Sequence, residues 1–281
     1  MAFSQPCPRC GRVVLKISWS ALRNQETCKQ RGFQIRSGHR APLTNSRVFF
    51  PGTVVDRVVR DWLLTDPSPG LMPDMVETIM EREWKTILDE GGVITWRNSS
   101  DRAAVLSDCR EAVTKIEPSL NTYVVPYEYQ ADKGFKVPVL IPHPAGGTEE
   151  ILLNGYMDIE VKDDQGRFWI WDVKMTRNND YWRKTVGQLT FYALSVLLSE
   201  GVLPVRVGLL QPMCDERVKA FAVTPDVSSQ MMQRITGMAR DIWTGEKTPR
   251  SDTAECSYCE VRHACTRFQP VVIDGKRRVA F

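Results

Sequence analysis

The stretch 155–192, GYMDIEVKDDQGRFWIWDVKMTRNNDYWRKTVGQLTFY, constrains the fold more than any other part of the chain. Two runs rich in Val, Ile, Phe and Trp flank Asp163–Gly166, whose residues suit a tight turn, so the segment reads as a β-hairpin. A helix over 181–200 follows and stops before Gly201. If the turn centres near Gln165, Asp158 lies across the hairpin from Asp172. Alternation along a strand then sets Asp172 and Lys174 on one face. Val173 points to the other face, and Trp169 and Trp171 belong with the core there. The turn must fix this register, because a slip of one residue would send every side chain to the opposite face.

Two carboxylates facing each other repel, and a divalent cation offsets the repulsion. Oxygen-only ligands select Mg²⁺ or Mn²⁺ over Zn²⁺, and the Val173 carbonyl could add another oxygen. Lys174 would lower the pKa of an attacking water, orient it, or neutralise a phosphorane-like transition state. Gln188 and Tyr192 lie one helical turn apart and share a face, where they could bond Lys174, a phosphate or a base. Packing has no need of either, since Leu189, Ala193, Val196 and Leu197 can serve it. The alternative is a solvated Asp–Lys pair at a strand end. Tyr181 or Trp182 could stack a splayed base, with Arg177 and Lys184 on the nucleic-acid backbone, or could simply pack the helix.

The rest of the chain surrounds this unit with mixed structure. Helices are expected at 18–31 (capped by Ser18 or Ser20), from Pro51-Gly52 to about Leu64, at 74–89, at 101–116 and at 226–244. Strands are expected at 122–129, 135–141, 151–161, 168–174, 205–211 and 217–223, and a polar loop at 33–47. Helices first, then strands with a helix laid among them, imply an α/β or α+β protein around one central sheet.

The chain has 281 residues, 42% hydrophobic and 25% charged, which suits one large domain. Net charge is only +3, yet residues 1–50 hold nine Arg/Lys against the single acid Glu26, an arm suited to a polyanion. No apolar run is long enough for a membrane span, and the start lacks the apolar core of a secretory signal. An intracellular, cytoplasmic protein is expected. The eight cysteines then point to metal rather than disulfides. Cys256, Cys259 and Cys265 form a compact three-thiolate set that needs a fourth ligand. Cys7 and Cys10 resemble half a zinc ribbon, to which His39 could contribute. Cys109 and Cys214 read as buried thiols.

Over residues 18–268 the sequence resembles the PD-(D/E)xK nuclease superfamily, and within it the RecB-like and CRISPR-associated iron–sulfur exonucleases, with phage relatives. The resemblance implies a restriction-endonuclease-like core, a central mixed β-sheet flanked by helices. A helical insertion and a cysteine-rich Fe–S clasp would be added to it. The implied division is a tail with a possible half zinc knuckle at 1–15, a nuclease domain at 16–268 and a basic tail at 269–281. Asp158 fills the family's G-x-x-D position, Asp172 and Lys174 its D/E-x-K, and Gln188 and Tyr192 its Q-x-x-x-Y. An early family helix carries a metal-shell His after a glycine. In Gly52-Thr53-Val54-Val55-Asp56 an aspartate stands in its place, so Asp56 is a further candidate ligand or else a surface acid. Glu128 sits where relatives often carry an acid. In the family, a helix of the form S-x-S-x-L-…-C supplies the first cluster ligand, which here is Cys28. The implied cofactor at Cys28, Cys256, Cys259 and Cys265 is a structural [4Fe–4S] cluster, with zinc as the alternative.

These expectations converge on a metal-dependent DNA exonuclease acting on single-stranded ends. The family suggests 5′→3′ polarity and a role in recombination, repair, or phage or CRISPR DNA processing. No G-x-x-x-x-G-K-[ST] loop occurs, so processive work would need a helicase or recombination partner. A non-catalytic Fe–S DNA-binding scaffold and a structure-specific endonuclease are the alternatives.

Overall fold

A computed structural model of the chain describes residues 14–38, 49–65, 67–94, 96, 98–246, 248–249, 256, 259, 261, 265, 271–273 and 276–278. These form seven helices and eight strands. One sheet runs β1 (Leu15–Ile17), β3 (Thr148–Lys162), β4 (Phe168–Val173), β5 (Arg206–Leu210), β6 (Val218–Ala222), with β2 (Glu128–Pro142) also paired to β3, and it mixes parallel and antiparallel pairs. The chain divides into two compact units: residues 1–41, 136–155 and 230–281, and residues 42–135 and 156–229.

In the second unit, α3 (Phe50–Thr65), α4 (Met72–Asp89) and α5 (Ser99–Tyr123) pack as a helical layer. Their buried residues recur at helical spacing. Val54, Val58 and Trp62 come from α3, Val76 and Met80 from α4, and Val113, Ile116 and Leu120 from α5. They close on one face of β3 (Thr148–Lys162) and β4 (Phe168–Val173), which contribute Ile159, Val161, Trp171 and Val173. Trp171 is fully buried and its ring lies 5.4 Å from that of Tyr123. Trp171 also needs a glycine beside it. β5 (Arg206–Leu210) runs parallel to β4 with Gly208 opposite Trp171, and a Cβ on Gly208 would sit 2.3 Å from the indole. β6 (Val218–Ala222) completes this side, and α6 (Trp182–Glu200) packs on β4 and β5. Gly201 ends α6 in the left-handed conformation (φ 72°) that glycine adopts without strain.

The hairpin turn is built as the sequence requires. Gly166 takes φ 74° and its N–H donates to Asp163 O at 2.8 Å. The Asp163 carboxylate accepts from the Gln165 and Arg167 N–H groups and from the Arg167 guanidinium. Partial burial pushes the Asp163 carboxyl up, but these bonds outweigh it and hold it below the usual carboxylate range.

Two expectations in this unit are corrected. α5 runs through Pro118 to Tyr123, because its buried stripe continues past the proline to Leu120, so of the strand expected at 122–129 only Glu128 and Tyr129 are in one. β2 is one strand, Glu128–Pro142, where a break was expected between 129 and 135. It passes through Asp132 at φ 53°, and Arg60 and Arg57 pair with that carboxylate at 3.4 and 3.8 Å.

In the first unit, β1 (Leu15–Ile17) lies parallel to Ile151–Leu153 of β3. The helix expected at 18–31 is two helices, α1 (Trp19–Thr27) and α2 (Lys29–Arg36), broken at Cys28. Ser18 caps α1 by accepting from Ala21 N–H at 3.3 Å. α2 occupies the first part of the expected 33–47 loop. It buries Gln30 and Gln34 beside Ile35, so no apolar stripe marks it. Gly32 permits the close approach of α1, since a Cβ there would meet Gln25 at 2.2 Å. α7 (Pro225–Trp243) is tied to α1 by a two-pronged Arg234–Glu26 pair at 2.7 and 2.6 Å. β7 (Val271–Ile273) and β8 (Lys276–Arg278) form a separate antiparallel pair. Among the described residues no helix is long and apolar enough to cross a membrane.

Candidate active site

β3 and β4 pair Ile159 with Trp171, and the same register carried one residue further sets Asp158 across from Asp172. Asp158 Oδ2 accepts from the Val173 N–H at 2.9 Å, which fixes its carboxylate against the end of β4. Lys174 Nζ stands 2.6 Å from Asp172 Oδ2, 4.0 Å from Asp158 Oδ2 and 3.4 Å from the Val173 carbonyl. The ammonium therefore touches all three groups expected to ligate a cation from this hairpin.

Asp56, on α3, joins Asp158, Val173 and Lys174 in lining an open cleft of about 420 Å³. Burial, and then the charge of Asp158, pushes Asp56 up to about 7. Asp172 has no exposed surface and lies behind the cleft wall. Burial and the charge of Asp158 push it up, and Lys174 pulls it back. Lys174 is lowered by burial, but the charges of Asp172 and Asp158 outweigh this and hold it firmly protonated. The site has more carboxylates than one lysine can neutralise.

Gln188 and Tyr192 share a face of α6, but their contacts differ from expectation. The Gln188 amide donates to Asp172 Oδ1 at 3.2 Å and to the Tyr192 hydroxyl at 2.7 Å. It orients the buried carboxylate and has no bond to Lys174. Tyr192 also packs. It is nearly buried, with the Phe135 ring 6.0 Å away edge-on, so the polar pair is part of the core too. Burial and the charge of Asp172 raise its phenol, which stays protonated. Glu128 does not join the cleft; it lines a different recess, with Lys133, Glu160 and Glu200.

The helix start after β4 is partly committed elsewhere. Trp182 stacks on Phe221 at 5.3 Å, with Arg183 and Lys219 over its ring, so it packs the fold. Arg177 pairs with Asp108 at 3.0 Å, while Tyr181 does line the cleft. Phe49, Thr53, Met175 and Thr176 also line it and were not foreseen. Phe49, Thr53 and Asp56 follow one another at four- and three-residue intervals, so helical spacing from Asp56 could have found them.

Among the described residues no group of three or more His, Cys, Asp or Glu is gathered to hold a metal. Between the aspartates stands the Lys174 ammonium, 2.6 Å from Asp172 and 4.0 Å from Asp158. A cation already sits there in the form of the chain's own ammonium, and excess carboxylate surrounds it. The donor set thus fits a hard divalent ion. The cysteines give a different answer. Cys28 lies at the α1–α2 break, the Cys259 N–H donates to Cys256 O at 3.3 Å and Cys265 is buried. None is in a disulfide, but the four do not form a metal-holding group, so the expected Fe–S clasp is not seen. Cys109 and Cys214 are buried thiols, donating to Pro51 O and Thr176 O, and burial pushes Cys109 up to about 12. Cys7, Cys10 and His39 lie outside the described residues.

A mixed sheet with a carboxylate pair and a lysine at the end of a central hairpin, covered by helices, defines a class of phosphodiester-cleaving proteins. The profile of the PD-(D/E)XK nuclease superfamily matches residues 16–266, and the chain belongs to that superfamily. Among solved structures, a Eubacterium rectale protein named as a "putative exonuclease" superimposes with a TM-score of 0.51. Its identity is 13%, over 91% of this chain and 90% of that one, which places the fold alone. The protein SSO0001 matches 76% of this chain and 95% of its own at 16% identity, with a TM-score of 0.37, too low to support an argument. No curated protein matches.

Proposed function

We propose that this nuclease is a Mg²⁺- or Mn²⁺-dependent DNA exonuclease acting on single-stranded ends. The observation that supports it is the ammonium of Lys174 held between Asp158 and Asp172, with Gln188 fixing the buried carboxylate from behind. Asp158, Asp172 and the Val173 carbonyl would hold the ion, with Asp56 on the facing wall of the cleft. When bound, such an ion acts as a Lewis acid that makes water nucleophilic at neutral pH. Lys174 then serves the reacting centre as a fixed positive charge, orienting the water or offsetting charge on phosphorus.

Polarity 5′→3′, a helicase or recombination partner, a cytoplasmic site of action and a role in recombination, repair, or phage or CRISPR DNA processing rest on the family resemblance. So does a [4Fe–4S] cluster, or zinc, at Cys28, Cys256, Cys259 and Cys265. The four cysteines supply its donor set, and no reaction step depends on it. Oxygen-free purification tests it: a brown protein absorbing near ~400 nm is expected, and a colourless zinc-only preparation counts against iron–sulfur.

Activity is tested with end-labelled linear and covalently closed circular single strands in Mn²⁺. Digestion of the linear form only is expected, and cutting of the circle would make the protein an endonuclease. Lys174→Ala should bind DNA without cutting it. Undiminished cutting by that variant defeats the assignment, and binding with no cutting by the unaltered protein favours a scaffold.

A further inference from the structure

Three aromatic side chains stand exposed among the described residues: Phe49 (72%), Tyr156 (67%) and Tyr127 (39%). The other large exposed apolar residues are aliphatic. Single exposed apolar residues are common and need no explanation. Position sets two of these three apart. Phe49 is on the wall of the cleft that contains Asp56, Asp158 and Lys174. Tyr156 is on β3, two residues from Asp158. Along this stretch Met157, Ile159 and Val161 share one buried face, and Tyr156, Asp158 and Glu160 share the other, on which Glu160 is buried, Asp158 half-buried and Tyr156 exposed. Two strand residues on one face lie about 7 Å apart. The ring of Tyr156 also has a fixed seat. A Cβ on Gly134 of β2 would meet three of its carbons at 3.1, 3.4 and 3.7 Å. The absence of that Cβ lets the ring lie against the backbone, with most of its surface open. An aromatic face held on one side and open on the other is the form of a base-stacking platform.

We propose that Phe49 and Tyr156 are the positions at which the site stacks nucleobases on either flank of Asp158, so that the strand it takes is an unpaired one. This rests on the nuclease reading above and deepens it. A base inside a duplex has both faces covered by its neighbours, whereas a base in a single strand can exchange a neighbour for Phe49 or Tyr156. Stacking tolerates any base, since each has a π-face, so the pair selects strandedness without selecting sequence. Both rings touch substrate and position it; neither takes part in bond cleavage.

The test is binding, with EDTA present so that nothing is cut. Oligonucleotides bearing 2-aminopurine near one end are titrated as single strands and as duplexes against the full chain. Tight single-strand binding with quenched 2-aminopurine is expected. Phe49→Ala and Tyr156→Ala should each weaken single-strand binding by about 5- to 100-fold, the loss typical of one stacked base. Each should relieve part of the quenching and leave duplex binding within about twofold. Phe49→Trp and Tyr156→Phe should keep both signals. The exposed side chains make misfolding an unconvincing cause, and matched circular dichroism spectra check it. Alanine variants that bind single strands as the parent does, or lose single- and double-strand binding equally, overturn the proposal. Parent protein that binds no single strand also overturns it. Failure of the nuclease reading is seen separately, as absence of cleavage in Mn²⁺.

Discussion

The hairpin acids and the cysteine set are both metal-ligand sets by composition, and the fold treats them differently. Asp158 and Asp172 are held within reach of one ammonium by backbone pairing, by the Val173 N–H and by Gln188. Cys28, Cys256, Cys259 and Cys265 form no metal-holding group. A carboxylate can be gathered by the chain's own cation, as Asp172 and Asp158 are by Lys174. A thiol carries no charge until it is deprotonated, so a protein cation does little to draw thiols together. In thiolate sites generally, the metal deprotonates and collects its ligands, and its binding energy becomes folding energy. A carboxylate site can therefore be shaped before its ion arrives, whereas a thiolate site is completed by it.

The largest expected effect breaks the first half of that contrast. Lys174→Ala should lower cleavage by at least about 10²–10³-fold, the loss typical of one transition-state charge partner. It should also cost about 3–5 kcal/mol of stability, because Asp172 is left buried without its cation. Added Mn²⁺ should restore more stability to the variant than to the parent, as read by thermal melts. No difference between them would mean that the ammonium does not stand at the cation's place. On the thiol side, Cys265→Ser in protein prepared without oxygen should lower stability by about 3–4 kcal/mol if metal is bound at 100- to 1,000-fold over its dissociation constant. Asp158→Asn should leave that loss and any colour unchanged. Gly208→Ala should cost about 1–3 kcal/mol through overpacking against Trp171, and it should lower cleavage by shifting the strand that carries Asp172. Denaturant titration and turnover measured together would check both halves.

The smallest effect concerns pH. The Asp163 carboxyl is lower in the folded chain than in the unfolded one. Its contribution is therefore full above the ordinary carboxylate range, about pH 4, and is lost as pH falls through the lower folded value. Asp163→Asn should lower stability at neutral pH, where the contribution is full, and flatten the acid limb of the profile below about pH 4, where parent and variant converge. An unchanged acid limb would exclude the turn as its source.

The hairpin register, the helix at 182–200 and the approach of Asp158 to Asp172 were legible because alternation, turn chemistry and a glycine stop all act locally. The α1–α2 break at Cys28 was not, since α2 buries glutamines and shows no apolar period. The continuation of α5 past Pro118 was hidden by a residue that ordinarily ends helices, and was decided by the packing of Leu120. In the site, the ligand candidates could be named from the sequence. The bond from Gln188 to Asp172 could not, because it depends on how α6 sits on the sheet. Helical spacing from Asp56 could have placed Phe49 beside the cleft, but its exposure is a tertiary property that the spacing does not carry.

The Asp163–Gly166 turn has a kinetic corollary. Asp158, Asp172 and Lys174 come from one span of 17 consecutive residues, 158–174. Closing so short a loop costs little chain entropy, and hairpins form in about 1–10 μs. The acids can thus meet early in folding, before the downstream strands have been added, and the later elements need only shelter a geometry the nascent segment already favours.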